Sequence, residues 1–267
     1  MRTASPSPPL RGHPRFQRLR VITALMLREM TSTYGRSVGG YFWAIAQPLG
    51  GIVLLAVAFS LALRSPPLGT SFILFYSTGM LPFSTFNVMS NGVSSVITSN
   101  RGLLSYPVVT AVDAVLARFL LDLITQGIIS LILLWGIVQG LGLHINLDLL
   151  VVVRGIFFAA VLGAGIGTLN CVLFGFFPTW KNIWAMLTRP LFLVSAILYI
   201  YEDAPQAFQQ VMWFNPLVHL TGSTRSGVFG AYDPQYISFT YVLGIALGSF
   251  VIGTWLLRRH ESFLIEQ

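Results

Sequence analysis

The chain has 267 residues, 54% of them hydrophobic and 9% charged, against roughly 25% charged in a soluble domain. A formal charge of +7 and a pI near 10.0 would suggest nucleic acid in a soluble chain, but here the cations flank apolar runs, where anionic headgroups and membrane orientation account for them. Composition therefore excludes a soluble domain and a nucleic-acid partner, and the lone Cys171 excludes an internal disulfide or a cysteine metal cluster.

Residues 1–14, rich in Pro, Ser and Arg, have no apolar core and are expected to form a mobile cytoplasmic tail. From Phe16 to Met30 a helical period gathers Phe16, Leu19, Met26, Leu27 and Met30 on one side, with Arg15, Arg18 and Glu29 toward another and Arg20 out of place. That pattern predicts an amphipathic helix on the inner membrane surface, with residues 15–40 as the approach to the first span. Tyr41 to Leu63 then runs without a charge, long enough at about 1.5 Å per residue to cross a hydrocarbon core of roughly 30 Å. The forty residues before it hold seven arginines and one acid, Glu29, which keeps that flank inside.

Five more apolar runs follow at about 72–97, 114–139, 149–175, 183–201 and 235–257. Residues 41–257 thus read as a six-helix membrane domain and 258–267 as a cytoplasmic C-terminus. An even number of crossings returns the chain to the inside, where Arg258 and Arg259 follow the last run and Arg101, Lys181 and Arg189 occupy the loops. The outer loops carry Arg64 and Arg225, while the third-to-fourth loop has His144 and Asp148 but no Lys or Arg.

The second run is unusually polar: Pro82, Asn87, Asn91, Ser77, Ser84, Ser90, Ser94 and Ser95 all fall in it. Such side chains turn either to hydrogen-bond partners on other helices or toward a hydrophilic passage, and both readings stand. Arg118 and Asp122, four apart, share a helix face and are expected to pair. Arg154 sits near the outer end of the fourth run, placed either to snorkel to headgroups or to meet an anionic substrate. Gly163 with Gly167, and Gly244 with Gly248, have the spacing that lets helix backbones approach closely.

Glu202 to Pro234 is too apolar for a loop and too broken for a span, with Asn215-Pro216 interrupting it. Two short re-entrant helices in the outer leaflet fit both facts. The expected fold is therefore an all-α integral membrane protein: six transmembrane helices, an N-terminal amphipathic surface helix, and two short re-entrant helices before the last span.

Enzyme chemistry has no foothold in this sequence. It contains no G-x-x-x-x-G-K-[ST], no H-E-x-x-H and no Gly-x-Ser-x-Gly, and Asp113, Asp122 and Asp148 fall near span ends rather than where a proton-coupled carrier needs them.

The string Arg28-Glu29-Met30-Thr31-Ser32-Thr33-Tyr34-Gly35-Arg36-Ser37-Val38-Gly39-Gly40-Tyr41-Phe42-Trp43-Ala44-Ile45-Ala46-Gln47-Pro48 resembles the segment leading into the first span of ABC-2-type polysaccharide-export permeases. Thr33 stands where that family often has a basic residue, and Gln47 where it usually has Glu. Tyr106-Pro107, the stretch Asn215-Pro216-Leu217-Val218-His219, Arg225-Ser226-Gly227 and Tyr232 extend the likeness over most of the chain, and Gly39-Gly40 leans to the capsule branch. The resemblance implies the permease half of an inner-membrane exporter with both termini cytoplasmic. It would work as a homodimer with two copies of a separate ABC ATPase subunit, on which ATP and Mg are bound, so the chain needs no cofactor of its own. The cargo would be a lipid-linked capsular polysaccharide, with O-antigen and teichoic-acid export as alternatives within the family. A periplasmic adaptor and an outer-membrane channel would complete the route. From another class, an ATP-independent carrier or channel also stays open.

Candidate residues follow from that frame. Arg101, Ser99, Asn100 and Tyr106 in the first cytoplasmic loop, with Arg28 and Glu29 on the surface helix, would couple to the ATPase. Phe83, Phe86 and Asn87 would line the sugar path, since aromatic faces let a sugar chain slide over weak repeated contacts. Tyr41 and Trp43 serve either that path or an interfacial aromatic belt, and Arg154 is the candidate for an anionic cargo.

Overall fold

The computed structural model describes residues 14–34, 39–104, 109–143 and 145–266. The expected tail at 1–13 and the Gly35–Val38 part of the string lie outside the described residues. The described residues are 81% helix and contain no strand. In order the helices are α1 Pro14–Tyr34, α2 Gly40–Ala62, α3 Phe72–Ser94, α4 Val96–Leu104, α5 Ala111–Gly140, α6 Leu149–Phe176 and α7 Trp180–Val194. A single 3-10 turn, Tyr201–Asp203, leads to α8 Gln206–Trp213, α9 Pro216–Val228, α10 Phe239–Arg259 and α11 Glu261–Glu266.

Helix starts follow from side chains that fill orphan backbone N–H groups. Ser71 accepts from the Leu74 amide, Ser238 from Tyr241, and Asn215 from Leu217 with Pro216 at the first helical position. Thr110 and Asp113 form a reciprocal capping box at α5, and the Asp148 carboxylate accepts from the Leu150 and Val151 amides at α6. Two of the three acids near span ends are therefore caps. The third, Asp122, pairs with Arg118 at 2.8 Å as expected.

Helix α6 is the axis of the fold, packed against α3, α10 and α9. Glycine makes this possible. A Cβ at Gly163 would lie 2.8 Å from the Phe86 carbonyl oxygen, and one at Gly167 would lie 2.8 Å from that of Ser90, both on α3. On its other side α6 meets α10, where a Cβ on Gly253 would stand 2.7 Å from the Leu169 amide. The Gly244 and Gly248 pair is different, for among the described residues no other element lies within 4 Å of a Cβ built there.

Four helices, α2, α5, α6 and α10, are long and apolar enough to cross a membrane. Helix α3 has the length, with 23 residues, but carries the polar side chains noted above. The fifth run, expected as one helix over 183–201, is instead broken: α7 ends at Val194 and Ala196 turns left-handed at φ 54°. The break is held from outside. Arg225, 1% exposed, donates to the carbonyls of Ile197 and Tyr199, each at 2.7 Å, and stacks over the Phe75 ring at 4.2 Å. Beyond it the two short helices expected before the last span are present as α8 and α9, divided at Asn215-Pro216.

Close packing at α6 gives a direct test. Gly167→Val should overpack the α3 contact and cost about 1–3 kcal/mol, seen as a lower midpoint in heated, detergent-solubilised protein followed by size exclusion. Gly248→Val should leave the midpoint of the isolated chain unchanged.

Candidate functional site

The polar residues of α3 differ in burial. Ser77 and Ser90 are buried within the bundle, where the Ser77 hydroxyl donates to the Leu74 carbonyl. Ser84, Asn87, Asn91 and Ser95, spaced by three and four, share a face and line a groove of about 440 Å³ with Gln47, Phe83 and Arg118. Asn91 and Ser95 also line a second cavity of about 780 Å³, which continues along α4 past Thr98 and Ser99 to Arg101, and across to Lys181, Trp184 and Thr188 of α7. A polar track thus runs from Ser84 to Thr98, about 20 Å at the rise of a helix. The hydroxyls of Ser77, Ser94 and Ser95 donate to carbonyls of their own helix, while Ser84, Asn87 and Asn91 open to a cavity.

Of the candidate path residues, Phe83 and Asn87 lie on this track. The Phe83 ring meets Phe192 edge-on at a centroid distance of 5.2 Å. Phe86, 1% exposed, lines neither cavity and shares a core cluster with Leu162, Leu217, Leu220 and Phe83, which is itself only 7% exposed. Tyr41 and Trp43 are exposed at the start of α2 and line neither cavity. Arg154 is exposed near the start of α6 with its guanidinium 4.4 Å over the Phe239 ring.

The candidate coupling residues are largely brought together. Arg28 donates to the Asn100 side chain at 2.8 Å and to the Ser99 carbonyl at 3.3 Å, tying the surface helix α1 to α4. Glu29 turns inward, 7% exposed, and pairs with Arg118 at 2.6 Å. Arg118 thereby bridges Glu29 and Asp122, so α1 is fastened to α5 as well as α4. Asp122 and Arg118 in turn press on Gly92, where α3 carries no side chain to resist them. Arg101 remains exposed at the rim of the larger cavity, and Tyr106 lies outside the described residues.

At the far end a second network closes the outer segment. Tyr232 donates to Glu202 at 2.9 Å, and burial, with Tyr236 and Glu202 adding to it, pushes the Tyr232 phenol up, so it stays a donor. His219 accepts at Nδ1 from the Ser238 amide, which fixes Nε2–H as donor to the Trp213 carbonyl.

Sequence reasoning missed three participants. Gln47 and Arg118 line the smaller groove, and Trp184 lines the larger. Arg118 was legible as half of an ion pair, but its second partner lies 89 residues away. Trp184, in an apolar run, gave no signal.

The described residues thus form a bundle of apolar helices with a polar track down one of them and α1 clamped to its side. The sequence profile of the ABC-2 type transporter family matches residues 20–229, most of the chain and all of these features up to the outer segment. The chain belongs to the ABC-2 type transporter family. As an ABC-2 membrane subunit it is not itself the ATPase. It is 29% identical over 245 residues to the polysialic acid transport protein KpsM of Escherichia coli, covering 91% of this chain and 95% of that protein. It is 23% identical over 243 residues to the capsule polysaccharide export inner-membrane protein CtrC of Neisseria meningitidis, covering 91% and 92%. A likeness of 26% over 239 residues links it to the O-antigen export system permease RfbA of Klebsiella pneumoniae, covering 87% and 88%.

The Glu29–Arg118–Asp122 bridge sets the placement of α1 in this ABC-2 domain. Glu29→Ala leaves the Arg118–Asp122 pair in place and removes one hydrogen bond between charged groups, at a cost of about 1.5–3 kcal/mol. Spin labels on α1 and α5 should then report a broadened distance distribution, and an unchanged one would show that the Arg28 bonds to α4 and apolar packing hold α1 without Glu29.

Proposed function

We propose that this chain is the transmembrane subunit of an ATP-driven exporter that moves a lipid-linked capsular polysaccharide across the bacterial inner membrane. The single observation that carries this reading is the polar track along α3, with an aromatic at Phe83, inside an ABC-2 domain whose relatives are named for capsule export. A sugar chain needs such a surface: hydroxyl-matching Asn and Ser side chains, an aromatic face for weak stacking, and no tight pocket to grip it.

In this reading α2, α3, α5, α6, α7 and α10 cross the membrane, and α8 and α9 are re-entrant from the periplasmic side. Both termini lie in the cytoplasm, in keeping with the arginines before α2 and after α10. Two copies pair around the track, each docked to an ABC ATPase subunit that binds ATP and Mg. A periplasmic adaptor and an outer-membrane channel take the polymer onward. Arg28, Ser99 and Asn100 form the junction through which ATPase motion reaches the bundle, and Glu29 with Arg118 relays it to α5. O-antigen export is the second reading, supported by the likeness to RfbA.

Co-purification in detergent with the ATPase encoded beside it tests the class. A two-plus-two complex is expected. Arg28→Glu should leave that complex intact but uncouple it, lowering export of capsule polymer while ATP hydrolysis continues. Failure to retain any ATPase would sink the exporter reading and return the chain to the carriers and channels.

A further inference from the structure

After α10 ends at Arg259, α11 lies against α4 and α6. Three side chains hold it there. The Glu261 carboxylate accepts from the Ala111 backbone N–H at 2.9 Å, filling one of the donors that the first turn of α5 leaves without a helical partner. The Phe263 ring stacks on Phe176 of α6 with 5.6 Å between centroids, and His260 meets the same ring edge-on at 5.0 Å. Leu264 is 2% exposed, in a core cluster with Ile97 and Leu104 of α4, Ala111 of α5 and Cys171 of α6. Its seat on α6 is made by Gly175, where a Cβ would collide with the Leu264 side chain.

Leu264 also serves as wall. It lines the cavity of about 780 Å³ beside Ile97, Cys171, Phe174 and Gly175, and among the described residues it is the one lining side chain that comes from beyond α7. The rest of that wall belongs to α3, α4, α6, α7 and the residues joining them, whereas α11 is six residues long. A helix so short has no stability of its own and stands only on its contacts. Segments held by few contacts open at a free energy far below that of the whole fold. We infer that α11 is a lid on this cavity, latched to α5 by Glu261 and to α4 and α6 by Leu264, and that its opening admits solutes to the wall at Cys171. The two latches grip α4 and α5, the same helices that Arg28 and Glu29 grip from α1. A displacement of α4 against α5 therefore strains the lid as well as the clamp. The lid is a property of this chain alone and does not depend on what the cavity carries.

Cys171 reports on the lid directly, being the chain's single cysteine and 4% exposed. Full-length protein in detergent is treated with a charged, water-soluble maleimide, and the labelling rate is followed by intact mass. Wild type should label slowly. Leu264→Ala should label about tenfold faster or more, since the rate at a protected site follows the population of its open form. Glu261→Ala removes the latch on α5 without touching the cavity wall and should raise the rate severalfold. Gly167→Val, compared at the same interval below its thermal midpoint, should keep the wild-type rate, because it loosens the α3 contact and leaves the lid seated. An unchanged rate in either lid variant overturns the inference. Glu261→Ala is the decisive arm, because the substitution at 264 also hollows the wall. A Gly167→Val rate that rises as far as theirs overturns it too, for labelling would then follow general loosening, and so does fast labelling of wild type. A chain that shows the expected pattern but retains no ATPase on co-purification defeats the export reading and not the lid.

Discussion

Backbone polar groups inside a membrane domain have no water to turn to, and the half of this fold that holds α8 and α9 is built around one place where the helix rule is broken and repaired. At residues 195–200 the chain leaves helical geometry, and each carbonyl so released costs several kcal/mol unless a donor reaches it. Arg225 supplies two such donors from α9, 28 residues further along, while Asn215 donates to the Ser195 hydroxyl at 3.0 Å. The cation itself is tolerated because Phe75 covers its face and Tyr76 and the outer tyrosines stand around it. Helices α8 and α9 cannot move away without exposing those carbonyls, and α10 is joined to them by His219 and Ser238. Removing Arg225 would therefore disturb the fifth and sixth apolar runs together.

That same repair explains what the sequence could and could not say. Hydropathy reads 183–201 as continuous because Ser195, Ala196, Ile197 and Leu198 are as apolar or as small as their neighbours. The break is written in Arg225 and Asn215, and nothing local points to them. By contrast the helix starts were local events, legible wherever Ser, Thr, Asp or Asn precedes an apolar run. The glycine pairs show the limit from another side: both have the right spacing, but Gly163 and Gly167 face α3 whereas Gly244 and Gly248 face away from the chain. Spacing tells that a close approach is possible; only the packing tells where it happens. In the candidate path, period parts Phe86 from its neighbour Asn87 by about 100° but leaves Phe83 and Phe86, three apart, in one core cluster.

At the inner end the architecture is a clamp. Arg28 and Glu29 are adjacent in sequence, so on α1 they point about 100° apart, one reaching α4 and the other α5. Two consecutive charges thus fasten α1 to two different elements, α4 and α5. Moving α1 relative to the bundle must pull on both. The force on α5 arrives at Arg118, whose side chain also lines the smaller groove and presses Gly92 of α3. Any larger residue at Gly92 would have to displace that ion pair, so α3 is kept bare at the point where the clamp meets the track.

The track itself sets a requirement that one chain does not meet. Asn91 is exposed, Ser84, Asn87 and Ser95 are partly so, and none of these amides or hydroxyls can face hydrocarbon without losing hydrogen bonds. The helices beside the track are equally incomplete: α7 contributes no buried residue, and α2 buries only Pro48, Ile52 and Ala56. A lipid-facing helix needs no partner, but a polar stripe between two such helices does. Water enclosed by a second protein surface satisfies it, and the proposed second copy, presenting its own α2, α3 and α7, would supply a matching polar face across the gap. Under the proposed pairing the passage would lie between two copies, with the groove along α3 of each forming one wall.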